Sequence, residues 1–394
     1  MDKLCPEPGA GAGVITTFYA YDSNVARSLV LANMAWYLSG ALDANAPAGA
    51  PVLMIDWDLE SPGLHHLFGS AGERPGLLEF IAACRDQIAA RADGVAGDAL
   101  AREVLAAVDW RNYIEPVDAD RPLYLMRAGR VDDTYGERAA QCDWHALFQA
   151  CPALLRQWRA QMAQAFRHVL VDARGGRSAA VSVCTSLLPD RIVGLFTPAQ
   201  RSLDGLCGVM RRAIDYRCSH EEDQRPLLLY PLPCASAGAG SASLAAWRRG
   251  GPGTAGPGYQ AILEQLMQAS YGRTHLALDS YFDHVHLPHL DADAGTGDVE
   301  RGADGSRAGP ALLALLDWAG EGYFPWQSHA EIMLLRSAQG SGLPRHSDSF
   351  GRPREEAGLR HGHAQFPALR PLGHDGRQTG HGAAKARLHV AATP

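Results

Sequence analysis

Lysine is all but missing from this chain of 394 residues: Lys3 and Lys385 are the only two, and arginine supplies the rest of the positive charge. The eight cysteines include no C-x-x-C pair and no framework spacing, which excludes a disulfide scaffold and predicts reduced, mostly buried thiols. Cys218 and His220 lack a second pair to complete a tetrahedral zinc site. No apolar run approaches the roughly 20 residues of a membrane span, and Met1–Gly13 has neither the basic start nor the apolar core of a secretory signal. A cytoplasmic protein is the expectation. Excess positive charge is also absent: the formal net charge is −7 and the pI near 6.1, so nothing electrostatic favours nucleic acid or an acidic membrane surface. There is no internal repeat.

What is present is an ordinary globular composition, 46% hydrophobic and 20% charged, long enough for a substantial core. Val14–Tyr21 is rich in β-branched and aromatic residues and reads as a buried strand. Leu29, Leu31, Ala32, Ala35, Trp36 and Leu38 follow near helical spacing. Between them lies the polar turn Asp22–Ser28. Strand, tight turn and helix is the layout of a phosphate-binding loop, yet this turn has no glycine and no lysine. Further apolar runs at Pro51–Ile55, Leu123–Met126, His168–Val171, Arg191–Phe196 and Pro226–Tyr230 alternate with helical patterns over Gly76–Val108, Trp144–Phe166, Ala179–Leu187 and Ser202–Tyr216. Such alternation predicts a doubly wound α/β fold, a mostly parallel sheet with helices on both faces.

Beyond the sixth strand, a loop is expected from Pro231 to about Gly258, then a helix over Tyr259–Ser270 and a short closing strand with its lead-in at Tyr281–Pro288, where His284, His286 and His289 would face solvent. Asp291–Gly309 is acidic and glycine-rich and reads as a linker, and Ala311–Ala319 as the last helix. The domain expectation is a leader over 1–13, one α/β domain over 14–290, a linker with a short helix over 291–336, and a low-complexity, disordered tail over 337–394.

Three carboxylates stand where open α/β sheets place ligand chemistry: Asp56 and Asp58 after the second strand and Asp172 at the end of the fourth. Arg174 and Arg177 follow in a glycine-containing loop, and Trp36 and Trp57 read as core or rim aromatics rather than base-stacking groups.

Tyr21–Ser28 followed by Val30–Trp36, Asp56–Leu64 (DWDLESPGL), Leu170–Gly176 (LVDARGG), Phe196–Pro198, Tyr230–Pro233 and Tyr281–Pro288 occur in an order that resembles the ParA/MinD-like P-loop ATPases. The resemblance is strongest to a bacterial subfamily whose loop reads Y-K-G-G-V-G-R-T. It implies ATP and Mg²⁺ as cofactors, cradled by Asn24, Val25, Ala26, Arg27 and Ser28 with Asp56 and Asp172. Ser28 and Asp172 would hold the metal, and Asp58 would position the attacking water as the catalytic residue.

Here the loop departs from that pattern. Ser23, Asn24 and Ala26 replace three glycines, and Asp22 replaces the signature lysine. Two unit charges about 4 Å apart interact by roughly 4 kcal/mol at an effective dielectric near 20, so exchanging attraction for repulsion would weaken nucleotide binding by several kcal/mol. Two outcomes stay open: a pseudo-ATPase or weak ATP binder that serves as a regulatory module for a protein partner, or an active Mg-ATP switch that forms a homodimer on ATP.

Overall fold

The computed structural model describes residues 13–22, 26–40, 50–70, 72–91, 96–220, 226–236, 241–251, 257–290 and 309–340. The expected leader, the linker over 291–308 and the tail beyond 340 lie outside them, as do Ser23, Asn24 and Val25.

In chain order the elements are β1 (Val14–Ala20), α1 (Arg27–Ser39), β2 (Val52–Trp57), α2 (Leu77–Ala90), α3 (Gly97–Ala107), β3 (Glu115–Pro116), β4 (Leu123–Met126), α4 (Tyr135–Ala140), α5 (Trp144–Ala150), α6 (Ala153–Ala165), β5 (His168–Ala173), α7 (Ala179–Ser182), β6 (Arg191–Phe196), α8 (Gln200–His220), β7 (Leu228–Pro233), α9 (Ser241–Arg249), α10 (Tyr259–Tyr271), α11 (Asp279–His284), α12 (Gly309–Ala319) and α13 (His329–Gly340). The seven strands form one sheet in the order β3-β4-β2-β5-β1-β6-β7. All neighbours are parallel except the β3–β4 pair, and this is the doubly wound α/β class that the alternation predicts. Strands β1 and β2 are buried almost throughout, because helices cover both faces of the sheet and leave no solvent side to reward polar alternation. On one face Trp57 stacks on Trp144 at 5.0 Å and on Trp158 at 6.2 Å, while Trp36 lies under the Arg121 guanidinium at 3.6 Å. Both tryptophans are core or rim groups.

Register places the chemistry. Asp56 pairs with Asp172 across β2 and β5, so two carboxylates arise side by side at the ends of adjacent central strands. The Tyr21 carbonyl accepts from the Gly176 amide at 3.0 Å and joins the end of β1 to the loop after β5.

Several sequence expectations need correction. The sixth strand is not Pro226–Tyr230 but Leu228–Pro233, and it runs through both prolines. In a parallel ladder alternate residues address opposite neighbours; the amides of Leu228 and Cys234 donate toward β6, to Asp190 and Phe196. Pro231 and Pro233 therefore face away from β6, where no ladder donor is required. The anticipated loop to Gly258 contains α9, whose Trp247 packs on Phe196 at 5.5 Å.

Tyr281–Pro288 is not a strand. Tyr281, Phe282 and Val285 are buried at i, i+1 and i+4 spacing and belong with helix α11, leaving only a bridge between Leu287 and Cys234. His284, His286 and His289 are exposed as expected, and the His284 ring stacks on His329 at 4.8 Å. Nor is Ala311–Ala319 the last helix, since α13 follows. Residues around α12 close the β7 side of the sheet: Arg191 donates to Ala319 and Gly320 carbonyls, and the Tyr230 hydroxyl to the Tyr323 carbonyl at 2.9 Å. The helical stretch Gly76–Val108 is divided into α2 and α3.

The seven described cysteines are free thiols; burial pushes Cys84, Cys142 and Cys234 up to about 12. Among the described residues no group of three or more His, Cys, Asp or Glu is arranged to hold a metal, and no helix is long and apolar enough to cross a membrane.

Candidate functional site: a carboxylate cluster closed by an arginine

The site lies at the C-terminal ends of β1, β2 and β5, where α1 begins. Of the expected cradle, Asn24 and Val25 fall outside the described residues; Ala26, Arg27 and Ser28 are placed. Ala26 precedes α1 and provides no side-chain cap, and the first turn of the helix carries no acidic residue. Arg27 opens the helix and turns inward. Its Nε donates to Asp172 Oδ1 and its Nη2 donates to Asp58 Oδ2 at 3.1 Å. Ser28 Oγ donates to the other oxygen of Asp172 at 2.5 Å.

The remaining carboxylate oxygens are equally engaged. Asp58 Oδ1 accepts from the Ser61 amide at 3.1 Å. Asp56 Oδ1 accepts from the Asp58 amide at 3.2 Å, and Oδ2 from the Gly63 and Leu64 amides, each at 3.1 Å. Asp56 thus folds the segment Asp58–Leu64 around itself, in the manner of an Asx turn extended to a residue eight positions on.

Two of the three clustered carboxylates share one guanidinium, and burial sharpens the imbalance. Asp56 has no exposed surface; burial, then the neighbouring Asp172 charge, pushes its pKa up to about 7, against the opposing effect of the Leu64 and Gly63 amides. Burial works against the charge on Arg27 as well, but Asp172 and then Asp58 reverse this and raise the guanidinium above the ordinary arginine range.

Asp22, at the lysine position, pairs with Arg201 of α8 at 2.8 Å. Arg201 is largely exposed, so the pair adds at most about 1 kcal/mol, yet it fixes an acidic side chain beside the loop. Arg174 is an ion-pair partner of Glu60. Tyr135 and Arg201 reach the site without any local signal, because their partners are remote in sequence; Tyr135 donates to the Leu59 carbonyl across 76 positions.

Between Ala26, Val30, Thr197 and Leu287–Leu290 a cavity measures about 20 Å³, room for about one water. A larger hollow of about 230 Å³ lies between α2 and the α4–α5 region, and no residue of the carboxylate cluster lines it.

The resemblance noted in the sequence implies Mg²⁺, which takes near-octahedral oxygen ligands at about 2.0–2.1 Å. The residues do not fit it in this arrangement. Both oxygens of Asp172 accept from protein donors, and a guanidinium already lies against Asp172 and Asp58, where it would repel a second cation.

No protein-family model matches the chain, and no curated protein matches it. Among solved structures it is similar to a ParA family ATPase from Chlorobium tepidum TLS, at 15% identity and a TM-score of 0.45, over 78% of this chain and 98% of that one. It is similar also to the septum site-determining protein MinD complexed with Mg-ADP from Pyrococcus horikoshii OT3, at 13% identity and a TM-score of 0.46, over 79% and 98% of the two chains. A third is a plasmid partition protein from Borrelia burgdorferi, at 11% identity and a TM-score of 0.41, over 84% and 100%.

Proposed function

We propose that this chain is a ParA/MinD-like module that has exchanged nucleotide turnover for a fixed internal charge network: a pseudo-ATPase that acts as a regulatory, partner-binding protein. The commitment of Arg27 carries this reading. It is the loop's one cation, and its guanidinium is engaged by Asp172 and Asp58. A phosphate arriving at the loop meets Asp22 in place of a lysine and must first draw Arg27 out of one buried and one half-buried ion pair. Breaking a buried pair by removing one partner costs on the order of 3–5 kcal/mol, equivalent to a loss of two or more decades in affinity.

Titration calorimetry of the purified chain with ATP and Mg²⁺ tests the proposal. The expected result is no binding in the micromolar range and no phosphate release. Micromolar affinity with turnover that disappears in Asp58→Ala would overturn it.

One observation favours a second reading, an active ATP- and Mg²⁺-dependent switch that dimerises. The first turn of α1 has neither a side-chain cap nor an acidic residue, so its amides remain suited to an anion. That reading requires Arg27 to leave Asp172 and Asp58, so that a metal can approach Asp172 and the Ser28 hydroxyl. The same titration separates the two.

A further inference from the structure

We infer that Arg27 is the resident cation of this site: its guanidinium stands in for a divalent metal among Asp58, Asp172 and Ser28, and so holds the Asp56–Leu64 segment in place without nucleotide. The inference deepens the pseudo-ATPase reading and rests on it for its functional meaning.

The geometry consists of two linked sets of contacts. In the first, donors from α1 hold Asp58, after β2, and Asp172, next to last in β5: Arg27 bridges Asp172 and Asp58, with the Ser28 hydroxyl on the second Asp172 oxygen. In the second, Asp58 and its neighbour Asp56 hold the segment, so the link from Arg27 runs through Asp58. Asp58 takes the Ser61 amide, Asp56 takes the Gly63 and Leu64 amides, and Tyr135 donates to the Leu59 carbonyl. Glu60 is tied to Arg174. Each anchor comes from this chain, so the exposed residues Glu60 and Ser61 are presented in one arrangement whatever the nucleotide supply.

Charge balance explains why a cation is needed. Asp172 and Asp56 are adjacent in register and almost fully buried, and Asp58 lies two residues on. Without a cation, like charges would sit in a low-dielectric pocket with no counter-charge. A guanidinium meets the need with directed N–H groups in a planar fork, where a metal would use ion–oxygen contacts. Removing Arg27 while keeping the oxygens leaves Asp58, Asp172 and the Ser28 hydroxyl, a hard-oxygen set suited to Mg²⁺, Mn²⁺ or Ca²⁺.

The test uses Mn²⁺ and electron paramagnetic resonance, in the absence of nucleotide, on the full chain and four variants. Wild type and Arg27→Lys are expected to bind Mn²⁺ only at millimolar concentration. Arg27→Ala and Arg27→Met, the latter keeping buried volume without charge, are expected to bind one Mn²⁺ at least tenfold more tightly. Arg27→Ala/Asp172→Asn should lose that gain. In parallel, exchange of the Ser61 amide should quicken at least tenfold in Arg27→Ala and slow again on adding Mn²⁺.

Folding of the neutral variants only with Mn²⁺ present supports the inference equally. It is overturned if wild type binds Mn²⁺ as tightly as the variants, or if the double variant keeps the gain. It is also overturned if both neutral variants show no gain, or stay unfolded with and without Mn²⁺. Because no nucleotide enters, ATP turnover by wild type would sink the pseudo-ATPase reading and leave the Mn²⁺ result to stand by itself.

Discussion

Tyr135 donates its hydroxyl to the carbonyl oxygen of Leu59 at 2.9 Å, joining α4 to the segment that follows β2. Both residues are buried, so the carbonyl has no water to turn to if the donor is lost. Burial, followed by the charges of Asp56 and Asp58, raises the phenol well above its ordinary range and keeps it a donor. Tyr135→Phe is expected to cost about 1 kcal/mol, rising to as much as 3 for an unsatisfied buried acceptor. Urea denaturation at constant m-value measures it, and an unchanged midpoint would show that the contact does not hold the segment.

Restoring the loop tests the charge argument from the opposite side. Asp22→Lys combined with Ser23→Gly, Asn24→Gly and Ala26→Gly returns a point charge and a close backbone approach to the turn. ATP affinity is expected to rise by at least tenfold over wild type in calorimetry. Arg201→Ala alone should change stability by less than about 1 kcal/mol, since that side chain is 76% exposed. No gain in the restored loop would mean that the turn is not what limits nucleotide binding.

Gly205 of α8 faces the ring of Tyr21, and a Cβ there would lie 2.1 Å from the ring's Cγ. The ring belongs to the residue whose carbonyl holds the Gly176 amide, so displacing it also disturbs the β1–β5 junction. Gly205→Ala is expected to destabilise by about 1–3 kcal/mol, the usual cost of overpacking. A thermal melt with no loss would indicate that the ring swings aside freely.

Stability should depend on pH through two opposed sets of groups. Asp56 is raised from 3.8 to about 7, so the folded chain holds its proton more tightly than the unfolded one. Its contribution is complete below pH 3.8 and disappears as pH rises toward 7. His65 and His168 act in reverse. Burial lowers each from 6.5 to about 4, with His66 adding to the effect at His65 and Arg167 at His168, so their contribution is lost as pH falls from 6.5 to 4. In wild type the two trends offset. Asp56→Asn removes one of them, and its urea midpoint should fall more steeply than wild type between pH 6.5 and 4.5. Parallel profiles would rule out a raised Asp56.

Much of the fold was legible because its cues are local. Val14–Ala20, Leu123–Met126 and Arg191–Phe196 are short apolar runs bounded by turn residues, and each is a strand. The prolines at 231 and 233 misled, since a strand at the sheet's edge tolerates proline on its outward side and only the sheet order reveals which side is outward. Tyr281–Pro288 misled through a short apolar run whose period was ambiguous; three buried side chains at i, i+1 and i+4 spacing settle it as helix followed by a single bridge.

By itself the amino-acid sequence marked Asp56, Asp58 and Asp172 as carboxylates closing short apolar runs, and the structure has Asp56 and Asp172 as the next-to-last residues of β2 and β5. The sequence also determined that Asp22–Ser28 lacks glycine and lysine. Only the tertiary structure decided what Arg27 does. Its partners Asp172 and Asp58 lie 145 and 31 positions away, and the choice between facing a ligand and facing inward depends on the burial and summed charge of all three carboxylates. No local pattern encodes that sum; it exists once β2 and β5 pair in register and place Asp56 beside Asp172 under the first turn of α1.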